Sequence, residues 1–134
     1  MRTRQNQDYH KKLKQDENSR LKIVKEYIKQ NTKGSVLNNL KWSKLFESLD
    51  ELKISFDINL LTDNINKNNL LTTDIYEIEN EAVLTNQYNS FIYYLEIDNI
   101  IIEHDNNDIK NEFQKMNIPF EVNDDKIIVK GYYK

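Results

Sequence analysis

Leu52-Lys-Ile-Ser-Phe-Asp-Ile-Asn-Leu-Leu61 puts Leu52, Ile54, Phe56, Ile58 and Leu60 in strict alternation with Lys53, Ser55, Asp57 and Asn59. A period of two turns alternate side chains to opposite faces, which predicts a strand with one buried and one wet face. The pattern changes on its N-terminal side. Trp42, Leu45, Phe46 and Leu49 recur at i, i+3, i+4 and i+7, so residues 40–51 read as a helix with Asn38 or Asn39 as its cap. Leu21, Val24 and Ile28 make a similar stripe over 19–31, with Asn18 or Ser19 as cap and Gly34 as stop signal.

On the C-terminal side, 62–69 is Asn-rich and reads as a loop. Residues 73–79 and 82–86 read as a hairpin around Asn80-Glu81. Residues 90–97 read as a strand, with Phe91, Tyr93, Leu95 and Ile97 on one side and Ile92, Tyr94 and Glu96 on the other. Because both sides are largely apolar or aromatic, that strand is expected to be central. Asp105 or Asn106 caps a third helix reaching residue 117, with Ile109, Phe113 and Met116 inward. A hairpin of 118–122 and 126–132 across Asn123-Asp124-Asp125 closes the chain. This order predicts an α+β fold, a mainly antiparallel sheet of about five to six strands with two N-terminal helices and one later helix packed on one face. Residues 1–17 are polar and basic and are expected to be a frayed helix or disordered extension, with 18–134 forming one domain.

Composition narrows the function. The chain has 134 residues and no cysteine, which removes disulfides, thiolate zinc sites and cysteine nucleophiles. With two histidines and two glycines, neither a multi-imidazole site nor a Gly-rich phosphate loop is expected. Glu77 and Glu79 form a carboxylate pair, but with 22 acids such pairs arise by chance. His104-Asp-Asn-Asn-Asp108 lacks the turn glycine and distal glutamate of a calcium loop and reads as a helix cap. No catalytic residue, cofactor or metal is therefore expected. No apolar run approaches the length of a membrane span, and the opening Met1-Arg-Thr-Arg-Gln-Asn has no apolar leader, so a cytoplasmic protein is expected.

Charge carries the functional reading. Residues 1–44 hold 12 Lys/Arg against 4 Asp/Glu, a net of +8, and 45–134 hold a net of −11. Between Asn68 and Ile109 there is no Lys or Arg and there are nine acids: Asp74, Glu77, Glu79, Glu81, Glu96, Asp98, Glu103, Asp105 and Asp108. Asp105 and Asp108 also suit the first turn of the third helix. Tyr76, Tyr88, Tyr93 and Tyr94 lie in the same stretch. Tyrosine anchors in an acidic rim match an interface composition, in which aromatics supply affinity and acids supply steering. The simpler reading is a solvated acidic surface with half-buried sheet tyrosines. The candidate partner-binding residues are Tyr76, Glu77, Glu79, Glu81, Tyr94, Glu96 and Asp98.

Three segments resemble an uncharacterised bacterial family, a domain of unknown function. NNLKWSKLFESL (38–49) is similar to its Asn-Asn-x-Lys-Trp opening. FIYYLEI (91–97) is similar to a strand reading Ile-Glu-Trp-Leu-Glu-Ile, with Tyr93 and Tyr94 departing from the Glu-Trp pair. NIPFEVNDDKIIVKGY (117–132) is similar to its closing hairpin, which ends in Gly-Tyr. The likeness spans about residues 36–133 and leaves the basic N-terminus outside. Such families resemble immunity proteins of bacterial toxin systems in size, acidity and lack of catalytic residues. The resemblance implies an immunity- or antitoxin-like protein. The expected partner is a protein, either a basic toxin such as a nuclease or a host enzyme, and no membrane is expected. The alternative is a nucleic-acid-associated or assembly protein acting through the basic N-terminal helix; diluting acids and the lack of an aromatic ladder disfavour nucleic acid.

Overall fold

The computed structural model describes residues 4–62, 70–72, 75–85 and 91–134, with side chains described for 18–62, 75–84 and 91–134. Helix α1, Arg4–Asn31, is continuous across the expected boundary near residue 17, so neither Asn18 nor Ser19 caps it. Its last carbonyls are met by side chains: Asn31 Nδ2 donates to Tyr27 O and Thr32 Oγ1 to Ile28 O. Gly34 follows with φ +143°, a conformation that favours glycine, and opens the short strand β1, Gly34–Ser35.

Helix α2, Asn39–Glu51, starts where Asn38 accepts the Lys41 amide at 2.8 Å. Trp42, Leu45, Phe46 and Leu49 are all buried along one stripe. The helix ends in a Schellman turn. Lys53 takes φ 55°, with Lys53 N donating to Asp50 O and Ile54 N to Leu49 O. This corrects the expected strand over 52–61. Helix capping claims Leu52 and Lys53 despite their fit to the alternation, and strand β2 is Phe56–Leu60.

Strands β3, Leu70–Thr72, β4, Ile75–Ile78, and β5, Ala82–Thr85, follow. β4 and β5 form the hairpin expected around Asn80-Glu81, while residues 63–69, 73, 74 and 86–90, including Asp74 and Tyr88, lie outside the described residues. The expected strand over 90–97 is also corrected. Strand β6 is only Ile92–Tyr93, a 3-10 turn takes Tyr94–Glu96, and β7, Ile97–Ile102, begins there. Glu96 makes the break by folding its carboxylate back onto the Tyr93 amide at 2.9 Å. The central strand is thus β7.

Helix α3, Asn107–Lys115, is capped by Asn106, which accepts the Ile109 amide. It ends in a second Schellman turn at Asn117, φ 56°. That turn holds Ile118 out of the closing hairpin, which is β8, Glu121–Asn123, and β9, Lys126–Lys130. Asp124 and Asp125, both at positive φ, form its two-residue turn. β10, Tyr132–Tyr133, pairs with β1.

The main sheet has the order β3-β2-β7-β9-β8, antiparallel throughout; β4-β5-β6 and β1-β10 form two smaller sheets. The fold is α+β. Helices α2 and α3 share one core with Phe56, Ile58, Ile97, Ile100, Ile102, Ile127 and Val129. Helix α1 does not join this core. Val24 packs in a separate cluster with Leu61 and Tyr132, flanked by Tyr27, Ile28 and Leu95. Among the described residues, no helix is long and apolar enough to cross a membrane.

Candidate functional site

The β4–β5 hairpin brings together four of the seven candidate partner-binding residues. A bulge in β4 lies between Ile75 and Glu77, so Tyr76 stands out of the ladder, 75% exposed. Glu77, Glu79 and Glu81 are exposed beside it. Among the described residues, no Lys or Arg forms an ion pair with any of the three. Glu77 and Glu79 share a hydrogen bond, which raises the Glu77 carboxyl above the usual range, with partial desolvation and repulsion by Glu79 adding to the rise.

Tyr94, expected at the surface, is instead 1% exposed. Its ring stacks with Trp42 and Phe46. Its hydroxyl donates to Glu79 O at 2.6 Å and its amide to Glu81 O at 2.9 Å. Tyr94 therefore cannot anchor a partner directly, but it clamps both carbonyls of the acidic turn. Burial raises its hydroxyl well above the ordinary tyrosine range.

Glu96 and Asp98 also leave the proposed face. Glu96 is buried and takes Arg20 of α1, with Nε to Oε1 at 2.7 Å. Asp98 pairs with Lys134 at 2.9 Å. Of the other acids in the stretch, Glu103 meets Lys126 and Asp105 meets Lys110. Four of the nine acids are therefore paired with bases, three of them from segments more than 20 residues away, and among the described residues three of the remaining acids sit together on the hairpin.

A second acid pair was invisible in sequence. Asp57 on β2 and Glu103 beyond β7 are 46 positions apart but share a hydrogen bond, because Asp57 pairs with Ile101 and Glu103 lies two residues along the same face. Burial, that hydrogen bond and repulsion by Glu103 push the Asp57 carboxyl up to about 6. The same bond and Lys126 lower Glu103. A carboxyl raised by folding contributes stability that is present below its unfolded value of 3.8 and lost as pH rises through its folded value. Asp57→Asn removes this loss. The variant's melting temperature should exceed the parent's above pH 7, by the equivalent of about 1 kcal/mol after discounting for partial exposure and the opposing shift of Glu103, and converge with it near pH 4. Thermal melts across that range test the prediction, and a constant offset at every pH contradicts it.

With the geometry in place, comparison with known proteins identifies the family. A family described as Family of unknown function (DUF6678) matches residues 24–134. The chain belongs to this family. The match begins inside α1, just after Ile23, and includes the acidic hairpin and all three segments of the noted resemblance. No curated protein and no solved structure matches the chain.

Arg20 is the functional neighbour that sequence reading missed. It sits in a helix 76 residues from Glu96, and no local pattern marks it apart from other bases of the N-terminal segment.

Proposed function

We propose that this protein is a small acidic binding module, immunity- or antitoxin-like, that neutralises a cationic protein such as a nuclease by covering its positively charged site. The supporting observation is the hairpin: three exposed carboxylates without basic partners among the described residues, beside the exposed ring of Tyr76. Carboxylates at Glu77, Glu79 and Glu81 would occupy phosphate positions, and Tyr76 would supply apolar contact. The mechanism is steric and electrostatic, involves no catalysis and needs no cofactor. It suits a bacterial or phage protein acting in the cytoplasm.

The partner to test is the product of the adjacent gene, co-expressed with the chain and scored for cell survival. For a partner found this way, Glu77→Gln, Glu79→Gln and Glu81→Gln together should slow association about tenfold at low salt and flatten its salt dependence, with the melting temperature unchanged. An unchanged rate and salt dependence would refute the hairpin as the interface.

One observation favours a second reading, nucleic-acid binding through α1. Lys22, Lys25 and Lys29 are exposed at i, i+3 and i+7 on that helix, and no ion pair engages them among the described residues. Binding of duplex DNA that is lost on replacing these three lysines by Gln, and kept in the hairpin variant, would favour it.

A further inference from the structure

A cavity of about 640 Å³ has no residue of the acidic hairpin in its lining. It joins the bulged part of β7, the segment before β8, the outward face of β9, and β10. Segment 117–132, the closing motif of the family resemblance, supplies much of its wall. Its apolar lining includes Val36, Phe120 and Ile128, all partly exposed. Its charged lining is balanced: Asp98 faces Lys134 at 2.9 Å, and Glu121 faces Lys130 at 3.1 Å.

The rim is fixed by backbone bonds. Gly131 N donates to Asp98 O at 2.8 Å, and Val36 N donates to Gly131 O at 2.8 Å. The polar wall is ordered as well, because Asn59 Nδ2 donates to Asn99 Oδ1 at 2.7 Å and Asn99 Nδ2 to Asp98 Oδ2 at 3.3 Å. Asp98 is thus held in place, with its side chain 24% exposed, whereas Lys134 is 59% exposed on a flexible stem. Lys134 is the replaceable half of the pair. A ligand cation that takes its place on Asp98 frees an ammonium, which then requires an anion. One small molecule meets both needs if it carries adjacent opposite charges, and the apolar wall calls for an apolar body.

We propose that this cavity binds a free α-amino acid with a large apolar side chain, as its zwitterion. The ligand ammonium sits on Asp98, its carboxylate takes Lys134, and its side chain lies against Phe120, Ile128 and Val36. The Lys130–Glu121 pair stays closed and forms the far wall.

The test is a titration of the full chain, labelled at Val and Ile methyls, with L-phenylalanine followed by NMR. Saturable shifts at Val36 and Ile128 are expected. Phenethylamine lacks the carboxylate and 3-phenylpropionate lacks the ammonium; each should bind at least about tenfold more weakly. Asp98→Asn should abolish the shifts. Lys134→Met, at an exposed position that leaves the fold intact, should weaken binding about tenfold. Trp42 fluorescence melts check that both variants are folded. Glu77→Gln should change nothing, so the outcome is independent of the hairpin reading. Absence of saturation, equal binding of the three compounds, or unaltered binding by folded Asp98→Asn or Lys134→Met would overturn the proposal.

Discussion

Replacing Gly131 by Ala is expected to cost about 3 kcal/mol, the upper end of the range for overpacking. The reason is proximity rather than dihedral freedom. A Cβ at this position would lie 2.3 Å from Ile97 O and 3.2 Å from Asp98 O, both backbone atoms of the central strand. Neither oxygen can retreat cheaply. Ile97 opens β7 beside its irregular pairing with β2, and Asp98 O accepts the Gly131 amide. Pushing them apart breaks that bond and strains the Val36–Gly131 bond that carries β1. Gly34 is the control. Its φ of +143° makes Ala strained there, but a Cβ would meet nothing within 4 Å, so Gly34→Ala should cost only about 1 kcal/mol. Urea unfolding followed by Trp42, the chain's single tryptophan and 3% exposed, measures both. Equal costs at the two glycines would contradict the steric account.

Arg20→Met is expected to destabilise by a similar amount, about 3 kcal/mol, because it leaves the Glu96 carboxylate buried without its cation. Glu96 is 4% exposed, and its bond to the Tyr93 amide does not replace a cation beside a buried carboxylate. Loss of the cation should act on α1 first. That helix is tied to the body through a small cluster around Val24, and Arg20 also reaches Phe91 O at 3.4 Å. Hydrogen exchange should therefore rise over residues 20–31 before it rises in β7 or α2. A double variant, Arg20→Met with Glu96→Gln, should recover part of the loss by removing the orphaned charge. If Arg20→Met alone melts like the parent, the pair does not hold α1 in place.

The acidic hairpin shows how far charge counting reaches. The sequence places nine acids in a stretch free of bases, and a steering face follows from it. In the fold, four of them meet bases: Glu96 with Arg20, Asp98 with Lys134, Glu103 with Lys126 and Asp105 with Lys110. Lys110 directly follows the stretch, but Lys126 and Lys134 lie 17 and 25 residues beyond its end and Arg20 precedes it by nearly 50, so no local window contains these three. Tyr94 fails as a surface anchor for a related reason. A 3-10 turn begins at Tyr94 and rotates its side chain into the core, where it supports the hairpin carbonyls from behind. Nothing in FIYYLEI distinguishes a continuous strand from a strand interrupted by a turn, because Glu96 must first find Arg20 and the Tyr93 amide.

By itself the sequence determined what depends on neighbours within about one helical turn or one hairpin. These features are α2 with its buried stripe and a cap at Asn38 or Asn39, α3 with a cap at Asp105 or Asn106, the hairpin at Asn80-Glu81, the closing hairpin around Asn123-Asp124-Asp125, and the α+β class. Only the tertiary structure decided which strand is central, that α1 packs apart from the other helices, which carboxylates remain unpaired, and that segments around Val36, Asp98, Phe120 and Lys134 enclose a common cavity. Capping bonds and hydrophobic periodicity act between residues three or four apart, so they can be read along the chain. Ion pairs and cavity walls join residues tens of positions apart, and their partners are set only when the sheet register is closed.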